Sequence, residues 1–162
     1  MNAPRSFDGE LPVGFDLAAV EWDRLIGGPN FDYPIDYAVA VAAADVPAGK
    51  LDLLVQWAPN AYCHFHRHCG TTKAVVIAGE QHLLEARVLE TVHKIRQAGF
   101  RGSVPDGEVH MERAGPAGLV MLFSIQAPAS GIAFDVLDRD GTVIAAPTVE
   151  DFVARRLATK AA

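Results

Sequence analysis

The chain has 162 residues, half of them apolar and 21% charged, which is the composition of one ordinary globular domain with enough material for a real core. Its net charge of −6, with no stripe of Lys or Arg, argues against nucleic acid or an anionic membrane as partner. The longest apolar run, Tyr37 to Ala44, is too short to span a bilayer, and Met1 to Glu10 has no secretory h-region. Cys63 and Cys69 are the two cysteines and offer neither a disulfide framework nor Cys-x-x-Cys zinc spacing, so a cytoplasmic setting is expected.

Residues 1–30, punctuated by Pro, Gly and Asp, read as an N-terminal arm holding at most a short strand or helical turn, and 31–162 as the domain proper. Strands are expected at Tyr37–Ala43 and Leu51–Trp57 around the Pro47-Ala48-Gly49 turn, and then at Tyr62–His68 and Ala74–Ala78. Glu80–Gln97 is ambiguous: Val88, Thr91, Val92 and Ile95 favour strand, while Val88–Gln97 also permits a helix. Further strands are expected at Val109–Glu112, Leu119–Ile125 and Ile132–Leu137. Asp140-Gly141 reads as a two-residue hairpin returning through Thr142–Ala145. Thr148 opens a helix over Thr148–Thr159, with Asp151 in the capping-box position and Phe152, Val153 and Leu157 as its apolar stripe. Many short strands between Gly/Pro turns imply an all-β sandwich or barrel with one C-terminal helix packed outside it.

Chemistry concentrates in Asn60-Ala-Tyr-Cys-His64-Phe-His66-Arg-His68-Cys-Gly70. Residues two apart on a strand share a face, so His64, His66 and His68 should point the same way, Cys63 and Arg67 the other way. Two imidazoles about 7 Å apart along a strand can converge on one ion once the strand twists, and a third ligand must come from elsewhere. His110 is that candidate, delivered at a strand start by the turn at Pro105 and Gly107.

The segment Gly99-x5-Pro105-x-Gly107-x2-His110 resembles the second motif of the cupin superfamily, with Ala114 where the family has Asn. The first cupin motif is matched in part by Asn60-x5-His66-x-His68-x3-Thr72-x6-Gly79, Asn60 standing for a Gly. This spacing selects His66 and His68 as ligands and leaves His64 as a reserve ligand or pocket-lining residue. The resemblance implies a single jelly-roll β-barrel holding a divalent metal on His66, His68 and His110. The family's glutamate ligand would fall at Thr72 or Lys73, neither a good ligand, so a three-histidine site is expected. Such a site carries about +2 with a divalent ion and favours an anionic bidentate chelate. Glu108 and Glu112, two residues either side of His110, are candidate catalytic carboxylates: either could complete the coordination, orient an imidazole or act as base, or be a solvated rim charge.

His66-Arg-His68-Cys-Gly70 is similar to cupins of the acetylacetone-cleaving dioxygenase and anti-sigma-factor types, and the stretches Asp138–Ala146 and Leu157–Lys160 are similar to the acetylacetone-cleaving type. That similarity implies a non-haem Fe(II) dioxygenase cleaving a C–C bond in a β-dicarbonyl or hydroxy-ketone, with Zn(II) or Ni(II) possible in the isolated protein. The alternative is a non-catalytic Zn(II)-binding sensor. A metal-independent isomerase is less attractive because of the histidine triad. Cupins commonly pair through barrel edges, which implies a homodimer. His82 and His93 read as structural or solvated, and Cys63 as core or surface filler.

Overall fold

The computed structural model describes residues 7–28, 31–86 and 90–157. After a 3-10 turn at Leu17–Ala19 the strands are β1 (Asp23–Ile26), β2 (Asp36–Asp45), β3 (Lys50–Trp57), β4 (Phe65–His68), β5 (Thr71–Ala86), β6 (Thr91–Gln97), β7 (Arg101–Val104), β8 (Val109–Gln126), β9 (Phe134–Leu137) and β10 (Val143–Ala145), followed by helix α1 (Val149–Val153). The strands pair antiparallel in one curled sheet ordered β1-β2-β3-β8-β4-β9-β10, and β5 joins β8, β6 and β7. No helix among the described residues is long and apolar enough to cross a membrane.

Period-2 patterning builds the core. Leu51, Leu53, Val55 and Trp57 of β3 turn inward and meet Leu119, Met121, Phe123 and Ile125 of β8 and Ala74 and Val76 of β5. Each large apolar side chain buried this way contributes about 1.5–3 kcal/mol.

The two strands expected at 109–112 and 119–125 are halves of one long strand, β8, which turns a corner between them. Its first half lies between β4 and β5, and its second half between β3 and β5. At the corner, Gly79 and Gly118 have φ of 81° and 94°, and β5 shifts register on either side of Gly79. A Cβ on Gly79 would lie 2.2 Å from the Gly118 carbonyl oxygen, so the two strands bend together only because glycine stands there. Within the segment expected to be an arm, Phe7 packs beside this corner against Ala78 and Val120, and the Asp8 N–H donates to the Ala117 carbonyl. Residues 1–6 and 29–30 of that segment lie outside the described residues.

One ambiguity is resolved and two expectations are corrected. Thr91–Gln97 is strand, not helix, paired along β5 from Thr91↔Ala86 to Gln97↔Glu80; Val88 lies outside the described residues. Asp140-Gly141 is not a two-residue hairpin loop. The Asp138 carboxylate accepts the N–H groups of Asp140 and Thr142, which closes a wider loop, and pairing resumes at Val143↔Leu137. The helix is shorter than Thr148–Thr159. Its capping box forms as expected between Thr148 and Asp151, but Arg155 takes a left-handed φ of 56° and ends the helical path. Thr159 lies outside the described residues.

Candidate metal centre

Strands β4 and β8 lie side by side with His66 directly opposite His110. His68, two residues along β4, and Glu112, two residues along β8, therefore fall on the same inward face. One ligand atom from each of His66, His68, His110 and Glu112 lies within 4.8 Å of every other. The Nε2 of His68 is 3.2 Å from that of His66 and 3.0 Å from that of His110. Glu112 Oε1 is 3.2 Å from His110 Nε2, and its Oε2 is 3.7 Å from His66 Nε2.

Each imidazole is fixed from behind through its other nitrogen. His66 Nδ1 lies 2.9 Å from the His64 carbonyl oxygen, His68 Nδ1 lies 3.0 Å from Thr72 Oγ1, and His110 Nδ1 lies 2.8 Å from Glu108 Oε1. Because each Nδ1 faces an acceptor, we assign it the proton, which leaves the three Nε2 lone pairs facing one another. That arrangement suits metal binding, where the outer hydrogen bond sets tautomer and ring orientation.

The two carboxylates beside His110 separate into distinct roles. Glu108 stands behind the ring on Nδ1. Glu112 joins the donor group, so the bare three-histidine arrangement expected from the missing motif glutamate gains a carboxylate from another strand. Thr72, at the motif glutamate's position, faces inward and braces His68; Lys73 is exposed on the opposite face. Arg67 points away from the cluster and pairs with Asp135 at 2.9 Å.

The donor set fits a divalent cation on its own chemistry. Glu112 is 1% exposed, and its Oε1 makes no hydrogen bond among the described residues, although His110 Nε2 stands 3.2 Å from it. Burial alone would drive a proton onto Glu112, but His110 and then His66 outweigh it and hold the carboxyl well below its usual range. For His110, burial pulls the pKa down, while the charge of Glu112 and the hydrogen bond to Glu108 overcome it and raise it to about 9. Burial lowers the pKa of His66 and takes that of His68 well below the usual imidazole value. A buried negative charge surrounded by three imidazoles calls for a positive charge among them, as a proton on His110 or as a cation.

His66, His68 and Glu112 line one part of a cavity of about 480 Å3 whose walls are largely apolar, among them Val39, Leu53, Trp57, Phe123, Phe134 and Phe152. The Phe134 ring stands edge-on to both His66 and His68 at centroid distances of 5.4 and 5.1 Å. His64 also lines the cavity but is not one of the four donors. Its Nδ1 is 3.2 Å from the Tyr37 hydroxyl, and burial, with His66 nearby, lowers its pKa to about 4.

Cys63 is the residue that strand alternation misplaced. The 61–64 segment precedes β4 and is held by turns and an isolated bridge at Tyr62, so the two-residue parity does not extend back to it. Instead of facing outward, Cys63 is buried in the cavity wall, where its thiol donates to Glu112 Oε2 at 3.0 Å. Burial and then the Glu112 charge raise its pKa well above the usual value, so it stays S–H. Away from this site, His82 Nδ1 and His93 Nε2 stand 2.9 Å apart, with Glu80 and Arg113 also on His82.

Comparison with solved structures agrees with this architecture. An RmlC-like cupin from Ralstonia eutropha JMP134 superposes with a TM-score of 0.63 at 16% identity, over 91% of this chain and 86% of its own. The fold is that of the cupins. A second cupin, a conserved barrel domain protein from Rhodopseudomonas palustris, gives a TM-score of 0.60 at 15% identity, over 75% of this chain and 80% of its own. A structure named "putative acetylacetone dioxygenase" from Methylibium petroleiphilum PM1 gives 0.66 at 14% identity, covering 93% of this chain and 98% of its own. No protein-family model matches the sequence, and a search of curated proteins finds no match. The cupin likeness is one of fold; the chemistry has to be argued from the cluster itself.

Proposed function

We propose that His66, His68, His110 and Glu112 hold one divalent metal ion, and that this cupin acts as a non-haem Fe(II) dioxygenase cleaving a C–C bond in a β-dicarbonyl or hydroxy-ketone. The observation that carries the reading is the convergence of four donors, one of them an orphaned buried carboxylate oxygen, on a largely apolar cavity of about 480 Å3. Bound there, Fe(II) would supply a Lewis acid for two substrate oxygens and a centre at which O2 can be reduced.

The protein's own part is positional. Thr72, Glu108 and the His64 carbonyl keep the imidazoles aimed inward, so little reorganisation accompanies ion capture. With one carboxylate and three neutral imidazoles, a divalent ion retains a formal charge of about +1, matched by a monoanionic enolate chelate. Apolar walls suit the alkyl or aryl arms of such a substrate and exclude water from it.

The test is anaerobic reconstitution with Fe(II), then O2-uptake measurement across β-diketones and hydroxyacetophenones. The reading expects about one iron per chain and O2 consumption with at least one of these substrates; iron uptake without O2 consumption refutes it. One observation favours a second reading: four protein donors are also what a closed, four-coordinate Zn(II) site requires. A non-catalytic Zn(II)-binding module predicts retained zinc and no turnover with any of these substrates.

A further inference from the structure

The thiol of Cys63 makes two contacts with one residue. It donates to Glu112 Oε2 at 3.0 Å, and its sulfur accepts the Glu112 backbone N–H at 3.2 Å. The Glu112 backbone and its carboxylate are thereby tied to the same sulfur atom. Oε1, which makes no hydrogen bond among the described residues, is left beside His110 Nε2. Cys63 is not itself in the donor group: its sulfur approaches His66 from the Nδ1 side, at 3.9 Å. Cys63 is 3% exposed and lines the same cavity as Trp57, itself 2% exposed.

We infer that Cys63 is a positioning residue for the metal centre, its S–H occupying Oε2 so that Glu112 presents Oε1 alone as a one-oxygen ligand. The inference rests on the metal-binding reading above and specifies how its carboxylate is delivered. A glutamate at the usual motif position would come from β5; this one comes from β8 and needs its own restraint, which Cys63 supplies from the segment before β4. Two functions follow for the clasp. It removes the rotamer freedom a buried Glu would lose on binding the ion, and it withholds the second oxygen, keeping a metal position for a bidentate ligand.

The experiment uses Co(II) as probe, because its visible d–d bands report coordination number and ligand set without turnover. Wild type, Cys63→Ser (donor kept), Cys63→Ala (donor removed) and Cys63→Val (donor removed, volume kept) are titrated with Co(II), and folding of each is checked by circular dichroism. The expected result is a Co(II) affinity lowered about 10-fold or more in Cys63→Ala and Cys63→Val, with shifted d–d bands, and wild-type bands in Cys63→Ser. Should Cys63→Ala fail to fold, Cys63→Val carries the comparison. Wild-type bands and affinity in the folded donor-less variant overturn the clasp while leaving the metal centre standing. A wild-type protein that takes up no Co(II) overturns the metal centre itself.

Discussion

Thr72→Val tests whether the residue in the motif glutamate's place has become a brace for a ligand. Thr72 is 2% exposed and its Oγ1 lies 3.0 Å from His68 Nδ1; His68 is 1% exposed, so water cannot replace the lost partner. Valine keeps the branched shape and suits a strand, so packing changes little. Leaving a buried polar group unpaired costs about 1–3 kcal/mol. In the metal-free protein His68 can relieve part of that cost by turning its ring. With Nε2 committed to an ion it cannot, and Nδ1–H faces a methyl group. A difference of about 1–2 kcal/mol between the two states corresponds to a loss of about 5- to 30-fold in metal affinity. The assay is competition for Co(II) or Zn(II) against a chelating dye, with wild type, Thr72→Val and Thr72→Ser side by side and metal-free melting curves as control. Thr72→Ser should stay within about twofold of wild type, because the hydroxyl remains. Wild-type affinity in folded Thr72→Val refutes the idea that the hydroxyl orients His68.

Two glycine variants separate backbone strain from close approach. Gly79→Ala, with φ 81° and a carbonyl oxygen 2.2 Å from the new Cβ, should lose about 3 kcal/mol or more in urea denaturation; Gly99→Ala, with φ 92° and no neighbour within 4 Å, should lose about 1–2 kcal/mol. Equal losses would remove the strand corner from the explanation. Thr148→Ala deletes the capping box and should cost about 1 kcal/mol, with Thr148→Ser largely spared. The Asp151 carboxyl is held below its usual range, first by the Thr148 backbone N–H and then by the Thr148 hydroxyl. A depressed carboxyl stabilises the fold above its unfolded pKa of about 4 and ceases to as pH falls through the folded value. The stability gap between wild type and Thr148→Ala should therefore narrow in acid, and a gap that widens would contradict the cap.

Much of the architecture was legible because period-2 patterning and turn residues carry it locally. Asn60, Gly79, Gly99 and Gly107 all take positive φ, as their motif places demand. The continuity of β8 was not legible, since Gly115-Pro116 reads as a break until β5 is seen curving alongside it. The hairpin at Asp140-Gly141 has a wider loop than two residues because Asp138 pairs with Thr142: its N–H donates to the Thr142 carbonyl while its carboxylate accepts the Asp140 and Thr142 N–H groups. At the site, His66, His68 and His110 come together where motif spacing put them, and Glu112 follows from its parity with His110. Lacking an acidic residue at Thr72 or Lys73, the sequence alone left Glu112 one option among several; its distance to the imidazoles is a property of register between two strands. Cys63 was illegible for the opposite reason, because alternation was applied to residues not yet in a strand.

The pairing of His66 with His110 has a consequence for how the site can be lost. Four donors come from two adjacent strands, two from each, all of one parity. A slip of β4 by one residue would turn His66 and His68 outward together and bring Arg67 in, with no intermediate arrangement that keeps half a chelate. The ladder thus works as a single latch. Metal capture reports on correct strand pairing, and a misregistered barrel would be marked by its failure to hold an ion at all.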